Sequence, residues 1–258
     1  MKLADLRIVA VDIGNSRLKL LYKKRSSAFE YHEQWSTGVH DFLQKCGTVP
    51  PVLGISSVEP QRLEEFLTIF GTQAGYSYIL LNPLLTQKNM PVRLSRVKGM
   101  GADRVLGLYG GLAQTAPPFI TVDCGTAITI NVLDNNAQCL GGAILPGIRT
   151  QLRALHTFTG QLPLIDPVYT QSTTGTNTKE AMRIGATCGA AGAVLHIIER
   201  IKQEHFPTSS LPMFITGGEA PLLLREMPAQ QTFLYRKELV REGIIYCTQQ
   251  LINDGYRP

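Results

Sequence analysis

The sequence predicts an α/β protein built twice to one plan, and three observations predict it. Two segments repeat an apolar strand, a polar corner and a second apolar strand. The first runs from Ile8 to Leu21 with Asp12-Ile13-Gly14-Asn15-Ser16 at its corner, the second from Ile120 to Ile130 with Asp123-Cys124-Gly125-Thr126. After each corner, short apolar runs alternate with apolar positions at helical spacing. The chain has 258 residues, 44% hydrophobic and 17% charged, enough to close two cores.

The elements follow in order. Residues 7–14 and 17–24 read as a hairpin, and Ala28 to Trp35 as a third strand. Helical periodicity covers 38–46, Val52 to Ile55 is a short strand, and Glu59 to Phe70 is a helix with Leu63, Phe66, Leu67 and Phe70 on one face. Tyr78 to Leu81 adds a strand. The second half restarts with strands at Phe119–Cys124, Ala127–Leu133 and Gln138–Leu145; Pro146-Gly147 then breaks the chain before a helix carrying Ile148, Leu152 and Leu155. A long helix spans about Lys179 to Gln203, with the small residues Ala181, Gly185, Cys188, Gly189 and Gly192 on one face. A strand at Pro212–Thr216, Gly217-Gly218 and a last helix near Lys237–Ile252, with Val240, Ile244, Cys247 and Leu251 in register, complete it. Three strands, then helix, strand, helix, strand is a ribonuclease H-like order. The fold expected is therefore a duplicated ribonuclease H-like one, with mixed five-stranded sheets flanked by helices. It divides into lobes 1–115 and 116–258 with a cleft between them.

Bulk properties narrow the function. A net charge of +5 suits anionic ligands such as nucleotides. The basic residues are scattered, and Lys23-Lys24-Arg25, the only tight run, reads as a solvated strand end or turn, so nucleic acid is not expected. Five cysteines without a Cys-x-x-Cys pair indicate neither a zinc site nor a disulfide framework, and the five histidines show no ligand spacing. Asp5 and Asp12 interrupt any apolar leader, and no stretch approaches the roughly 20 apolar residues of a membrane helix. A reducing cytoplasm fits best.

The corners carry the chemistry. A glycine there allows a positive φ and a close approach of backbone to phosphate, while Asn15, Ser16 and Thr126 offer donors. Asp12 reaches a phosphate only through Mg2+, directly or through its water shell. Lys19 adds positive charge. One such corner alone equally describes an ordinary hairpin; its recurrence at Asp123 favours phosphoryl transfer. Cys124 lies on the opposite face from its neighbouring aspartate and reads as a buried apolar residue, not a nucleophile. Gly99-Met100-Gly101-Ala102-Asp103-Arg104 misses the dinucleotide pattern, and no Walker sequence is present. Asp103 there reads as the cap of a helix, able also to orient a hydroxyl, with Arg104 to grip a carboxylate. Gly217-Gly218 is either a platform for a flat base or a plain turn.

The ordered set DIGNSRLK, GADR, DCGTA, GGAILPG, Asn177-Thr178 and Thr216-Gly217-Gly218 resembles the motifs of type III pantothenate kinases, within the acetate kinase, sugar kinase, Hsp70 and actin superfamily. The resemblance implies an actin-like ATPase fold and ATP-dependent phosphorylation of pantothenate, the first step of coenzyme A biosynthesis. It implies an ATP phosphate loop of Asp12, Ile13, Gly14, Asn15, Ser16, Arg17, Leu18 and Lys19, with Thr126 also on ATP. Asp103 would be the catalytic base, with Gly101, Ala102, Arg104 and Thr178 beside pantothenate. Asp123 would hold a monovalent cation, K+ or NH4+, and Mg2+ would accompany ATP. A cytoplasmic homodimer, packed through the helix that starts at Thr178 with the active site near the interface, is expected. Leu94 and Val97 stand where family members commonly carry a tyrosine and a proline. A kinase of the same superfamily for another acceptor, and a non-catalytic regulator of the same fold, are the alternative readings.

Overall fold

The computed structural model describes residues 7–32, 34–87, 89–207, 210–228 and 232–257; Asp5 lies outside them. Two compact units emerge: residues 1–116 with 137–139 and 238–258, and residues 117–136 with 140–237.

The first unit holds β1 (Ile8–Ile13), β2 (Arg17–Tyr22), β3 (Arg25–Glu30), α1 (Trp35–Gln44), β4 (Val52–Ser57), α2 (Pro60–Phe70), β5 (Tyr78–Leu80) and α3 (Ala102–Leu112). Its sheet order is β3-β2-β1-β4-β5, antiparallel across β3, β2 and β1 and parallel across β1, β4 and β5. The third strand is Arg25–Glu30, not 28–35: Lys23 and Lys24 make the tight turn between β2 and β3, and Trp35 opens α1 instead of ending a strand. Alternation sorts β1 into two faces. Val9, Val11 and Ile13 join Leu18, Leu20, Leu53 and Ile55 in a core closed by Trp35, Phe42, Phe66 and Phe70 from α1 and α2. On the other face, small residues let a helix come close, as described below.

The second unit holds β6 (Phe119–Cys124), β7 (Ala127–Leu133), most of β8 (Cys139–Pro146), α4 (Ile148–Phe158), α5 (Thr178–His205), β9 (Met213–Thr216), α6 (Ala220–Glu226) and β10 (Leu234–Tyr235). Its order, β10-β9-β6-β7-β8, repeats that of the first sheet: β6 pairs antiparallel with β7 and parallel with β9. This is the duplicated ribonuclease H-like fold with mixed five-stranded sheets. Ile120, Val122, Ile128 and Ile130 pack against Ile148, Leu152, Ala186, Ala190 and Val194.

Two findings differ from expectation. The last helix, α7 (Leu239–Asn253), follows the second unit in sequence but packs on β1, β4 and α3, so residues 238–258 belong with the first unit. And α5 is, by length and composition alone, apolar enough to cross a membrane, with a mean hydropathy of 1.4 over its most apolar 18 residues. Its alanines and a few large apolar groups raise that mean; Met182, Ala186, Ala190, Val194 and Ile198 pack into the second unit's core.

Candidate active site

In the first unit the polar corner sits at the carboxyl end of the central strand, where open α/β sheets bind their ligands. Asp12 pairs across β2 with Lys19 and across β4 with Ser56, so both side chains share its face. Lys19 Nζ lies 3.6 Å from Asp12 Oδ2. Gly14 N donates to Arg17 O at 3.1 Å, closing the turn, and Tyr31 Oη donates to Gly14 O at 3.0 Å, holding it from outside. Burial, then the neighbouring Asp12, Glu65 and Glu59 carboxylates, push the Tyr31 phenol up to about 12 against the opposing pull of Arg62. Asn15, Ser16 and Arg17 are exposed, and Arg17 is paired with Glu30 at 2.8 Å. Ile13 and Leu18 are buried in the core, so only their main chain faces the corner. Gly14 does not take a positive φ, and neither does Gly125 in the second unit. A corner that closes through strand pairing keeps extended backbone on both sides and has no need of one.

Asp103 lies in the first turn of α3 and is exposed. It is not the helix cap: Gly101 occupies that position, and Asp103 Oδ1 accepts from Arg104 N at 2.8 Å. Gly101 is also exposed, while Ala102 and Arg104 are half-buried. Upstream, Val97 N donates to Leu94 O at 3.0 Å, so both residues lie on one tight turn.

In the second unit Asp123 pairs across β7 with Thr129 and across β9 with Thr216. The duplicated aspartates thus sit in different settings, Asp12 beside a lysine and a serine, Asp123 between two threonines. Cys124 is fully buried and burial pushes its thiol well up, which removes it as a nucleophile. Thr126 is exposed at the turn. Its carbonyl accepts from Gly147 N at 2.9 Å and Thr150 Oγ1 at 2.7 Å, tying the turn to the start of α4. Gly217 has φ 96°, and a Cβ there would stand 2.3 Å from Cys124 O and 2.5 Å from Asp123 Oδ1. Gly217 is therefore the position that must be glycine for β9 to end beside Asp123, whereas Gly218 meets nothing within 4 Å and stays open. Thr178 opens α5 and is exposed; its start is fixed by Asn177 Oδ1 accepting from Glu180 N at 3.0 Å and by the Glu180 carboxylate accepting from Thr176 N and Oγ1, and these last two bonds lower the Glu180 pKa.

Glu219 and Arg241 escape sequence reasoning. Glu219 accepts from Ile148 N at 2.7 Å and Arg149 N at 3.1 Å, filling the positive end of α4 with a carboxylate from another element. Its backbone N donates to Cys124 O at 2.9 Å. Arg241 Nη1 lies 3.8 Å from Asp12 Oδ2.

The family model for type III pantothenate kinase matches residues 8–200. The chain belongs to the type III pantothenate kinase family. It is 35% identical over 155 residues to the type III pantothenate kinase of Synechococcus elongatus, an alignment covering 60% of this chain and 62% of that relative's length. With the enzyme of that name from Sulfurihydrogenibium it shares 28% over 243 residues, 88% of this chain and 94% of the relative. Among solved structures, a Campylobacter jejuni protein of the Baf family of transcriptional activators superposes with a TM-score of 0.59 at 21% identity, over 95% of this chain and 99% of that one. That likeness concerns the fold. The family match takes in Asp12, Asp103, Asp123, Thr126 and Thr178 and ends before Gly217, Glu219 and Arg241.

Proposed function

We propose that this chain is an enzyme that transfers the γ-phosphoryl group of ATP to the 4′-hydroxyl of pantothenate, opening coenzyme A biosynthesis. The observation that carries the reading is the recurrence of one carboxylate at the end of the central strand of each sheet, in a member of the type III pantothenate kinase family. The corner from Asp12 to Lys19 serves the ATP phosphates through the exposed Asn15 and Ser16, the Lys19 ammonium, Arg17 and the main chain of Ile13, Gly14 and Leu18. Thr126 contacts ATP from the second unit. Asp103 accepts the proton of the pantothenate hydroxyl as that oxygen bonds to phosphorus and the bond to the ADP oxygen breaks. Gly101, Ala102, Arg104 and Thr178 line the acceptor. The transition state is loose and charge-rich, so positioning and electrostatics supply most of the rate and the base need not be strong.

The donor sets fit the expected ions. The Asp12 carboxylate at the phosphate corner suits Mg2+, a cation that takes one or two carboxylates beside phosphates and water. Asp12 would hold it, directly or through its water shell, and the ion would supply neutralisation of phosphate charge. Asp123, between the hydroxyls of Thr129 and Thr216, offers the all-oxygen donors that K+ or NH4+ takes. The exposed small residues Ala181, Gly185, Cys188, Gly189 and Gly192 of α5 support a homodimer packed along that helix, with Thr178 near the interface. A cytoplasmic location is part of the same proposal.

The test is ADP release with and without pantothenate, in K+ and then in Na+, against a panel of other small alcohols and carboxylates. Pantothenate-dependent ADP in K+, reduced in Na+, is expected. Release with another acceptor and not with pantothenate would overturn the assignment.

A further inference from the structure

The face of the first sheet opposite its aromatic core carries Ala10, Asp12, Lys19, Gly54 and Ser56 in adjoining registers. Its small residues admit α7. A Cβ at Gly54 would stand 2.1 Å from Thr248 Oγ1 and 3.1 Å from Ile244 Cγ2, so helix and strand are already in contact. Thr248, Ile244 and Arg241 follow one another at helical spacing on that side. The contact at Gly54 therefore sets how far Arg241 reaches, and what it reaches is Asp12.

The arginine is itself held. Its side chain is 11% exposed, and Nε donates to Glu238 Oε2 at 2.6 Å, with Nη2 bonded to the same oxygen. Nη1 is directed to Asp12 Oδ2 at 3.8 Å, while Lys19 Nζ stands 3.6 Å from the same oxygen. Both distances are ion-pair contacts beyond hydrogen-bond length. Two cations thus approach the same carboxylate oxygen, neither at hydrogen-bond length. Asp12, Glu238, Lys19 and Arg241 also balance in charge, so the cluster can stay partly buried.

We propose that Arg241 is a positioning residue for the phosphate corner: anchored by Glu238 and carried by the C-terminal helix, it sets the place of the Asp12 carboxylate. The proposal rests on the reading of Asp12 as a nucleotide-binding group. It assigns part of the site to an element beyond the family match, which ends at residue 200.

The experiment is calorimetric titration of the full chain with Mg2+ and a non-hydrolysable ATP analogue, for wild type, Arg241→Gln, Arg241→Lys, Glu238→Gln, Asp12→Asn and Asp12→Asn/Arg241→Gln, each checked by thermal melting. Arg241→Gln should weaken Mg2+-nucleotide binding about tenfold, Glu238→Gln less, and Arg241→Lys should recover part of the loss. In the Asp12→Asn background Arg241→Gln should change binding by less than about twofold, because it acts through Asp12. In steady state KM for ATP should rise while KM for pantothenate stays. Equal losses in both backgrounds, unchanged binding in Arg241→Gln, or parallel rises in both KM values would overturn the proposal. Binding needs no acceptor, so a wild type that binds nucleotide but does not phosphorylate pantothenate would refute the function and leave this role standing. If Arg241→Gln fails to fold, the Lys and Glu238 variants decide in the same assay.

Discussion

The contact between α3 and α7 gives the sharpest stability prediction. A Cβ on Gly243 would lie 1.9 Å from Leu106 O and 2.8 Å from Gly110 N, and one on Gly110 would lie 2.1 Å from Leu239 O. These neighbours are backbone atoms, so no side chain can swing away. An ordinary carbon–oxygen contact is about 3.3 Å, so Gly243→Ala must drive the helices apart by about 1.4 Å at that point. Overpacking of this kind costs about 1–3 kcal/mol, with a backbone collision at the upper end. The better helix propensity of alanine returns up to about 1 kcal/mol. A net loss of about 2 kcal/mol should lower the melting temperature by about 4–8 °C for a chain of this size. Differential scanning fluorimetry reads this directly. The displacement also moves Arg241, so Mg2+-nucleotide affinity should fall with stability. A Gly243→Ala protein that melts at or above wild type would refute the backbone-to-backbone packing and the argument drawn from it.

Three further outcomes are expected. Glu219→Gln leaves the two amides that start α4 without a charged acceptor and should cost about 1 kcal/mol, lowering the melting temperature by about 2–4 °C; an unchanged melt contradicts the capping role. The raised Tyr31 pKa means the folded chain holds the neutral phenol after the unfolded chain has begun to release its proton. Its contribution is whole below pH 10 and is lost as pH rises from 10 towards about 12. Denaturant titrations should show a steeper alkaline loss for wild type than for Tyr31→Phe, and identical slopes would remove the assignment. Gly185→Leu adds bulk to the exposed face of α5 and should shift the proposed homodimer to monomer in light scattering without unfolding it; an unmoved mass would contradict packing along that helix.

The parts of the fold legible in the sequence are those with a local cause. Asp12 and Asp123 stand out because an aspartate closing an apolar strand and followed by a glycine is visible within five residues, and its repetition exposes the duplication. Helices α2, α4 and α7 show in their apolar period. Trp35 misleads because one large apolar residue fits a strand or a helix start equally, and its place is settled only through Phe66, which stacks on it from α2, and Phe70, which meets it at a tilt. The return of α7 to the first unit has no local sign: its buried face would suit either core, and the small residues Gly54, Gly110 and Gly243 that admit it are scattered through the chain. Arg241 and Glu219 stay hidden for the same reason, since each acts on a residue brought near only by the fold. The positive φ expected of a corner glycine is found at Gly217 and not at Gly14 or Gly125, and closeness to Asp123 and Cys124 separately leaves no room for a Cβ there.

The measurement that bears most directly on the account is turnover of Asp103→Asn with ATP and pantothenate, alongside its affinity for nucleotide. Asp103 is exposed and its Oδ1 accepts from Arg104 N within its own helical turn, an acceptor role that asparagine keeps, so the change should leave the fold and the Asp12 corner in place. On the proposed role of Asp103 as proton acceptor, the change should cut kcat by about 100-fold or more with nucleotide binding unchanged. Near-normal turnover in that variant would show that the hydroxyl is activated by some other group.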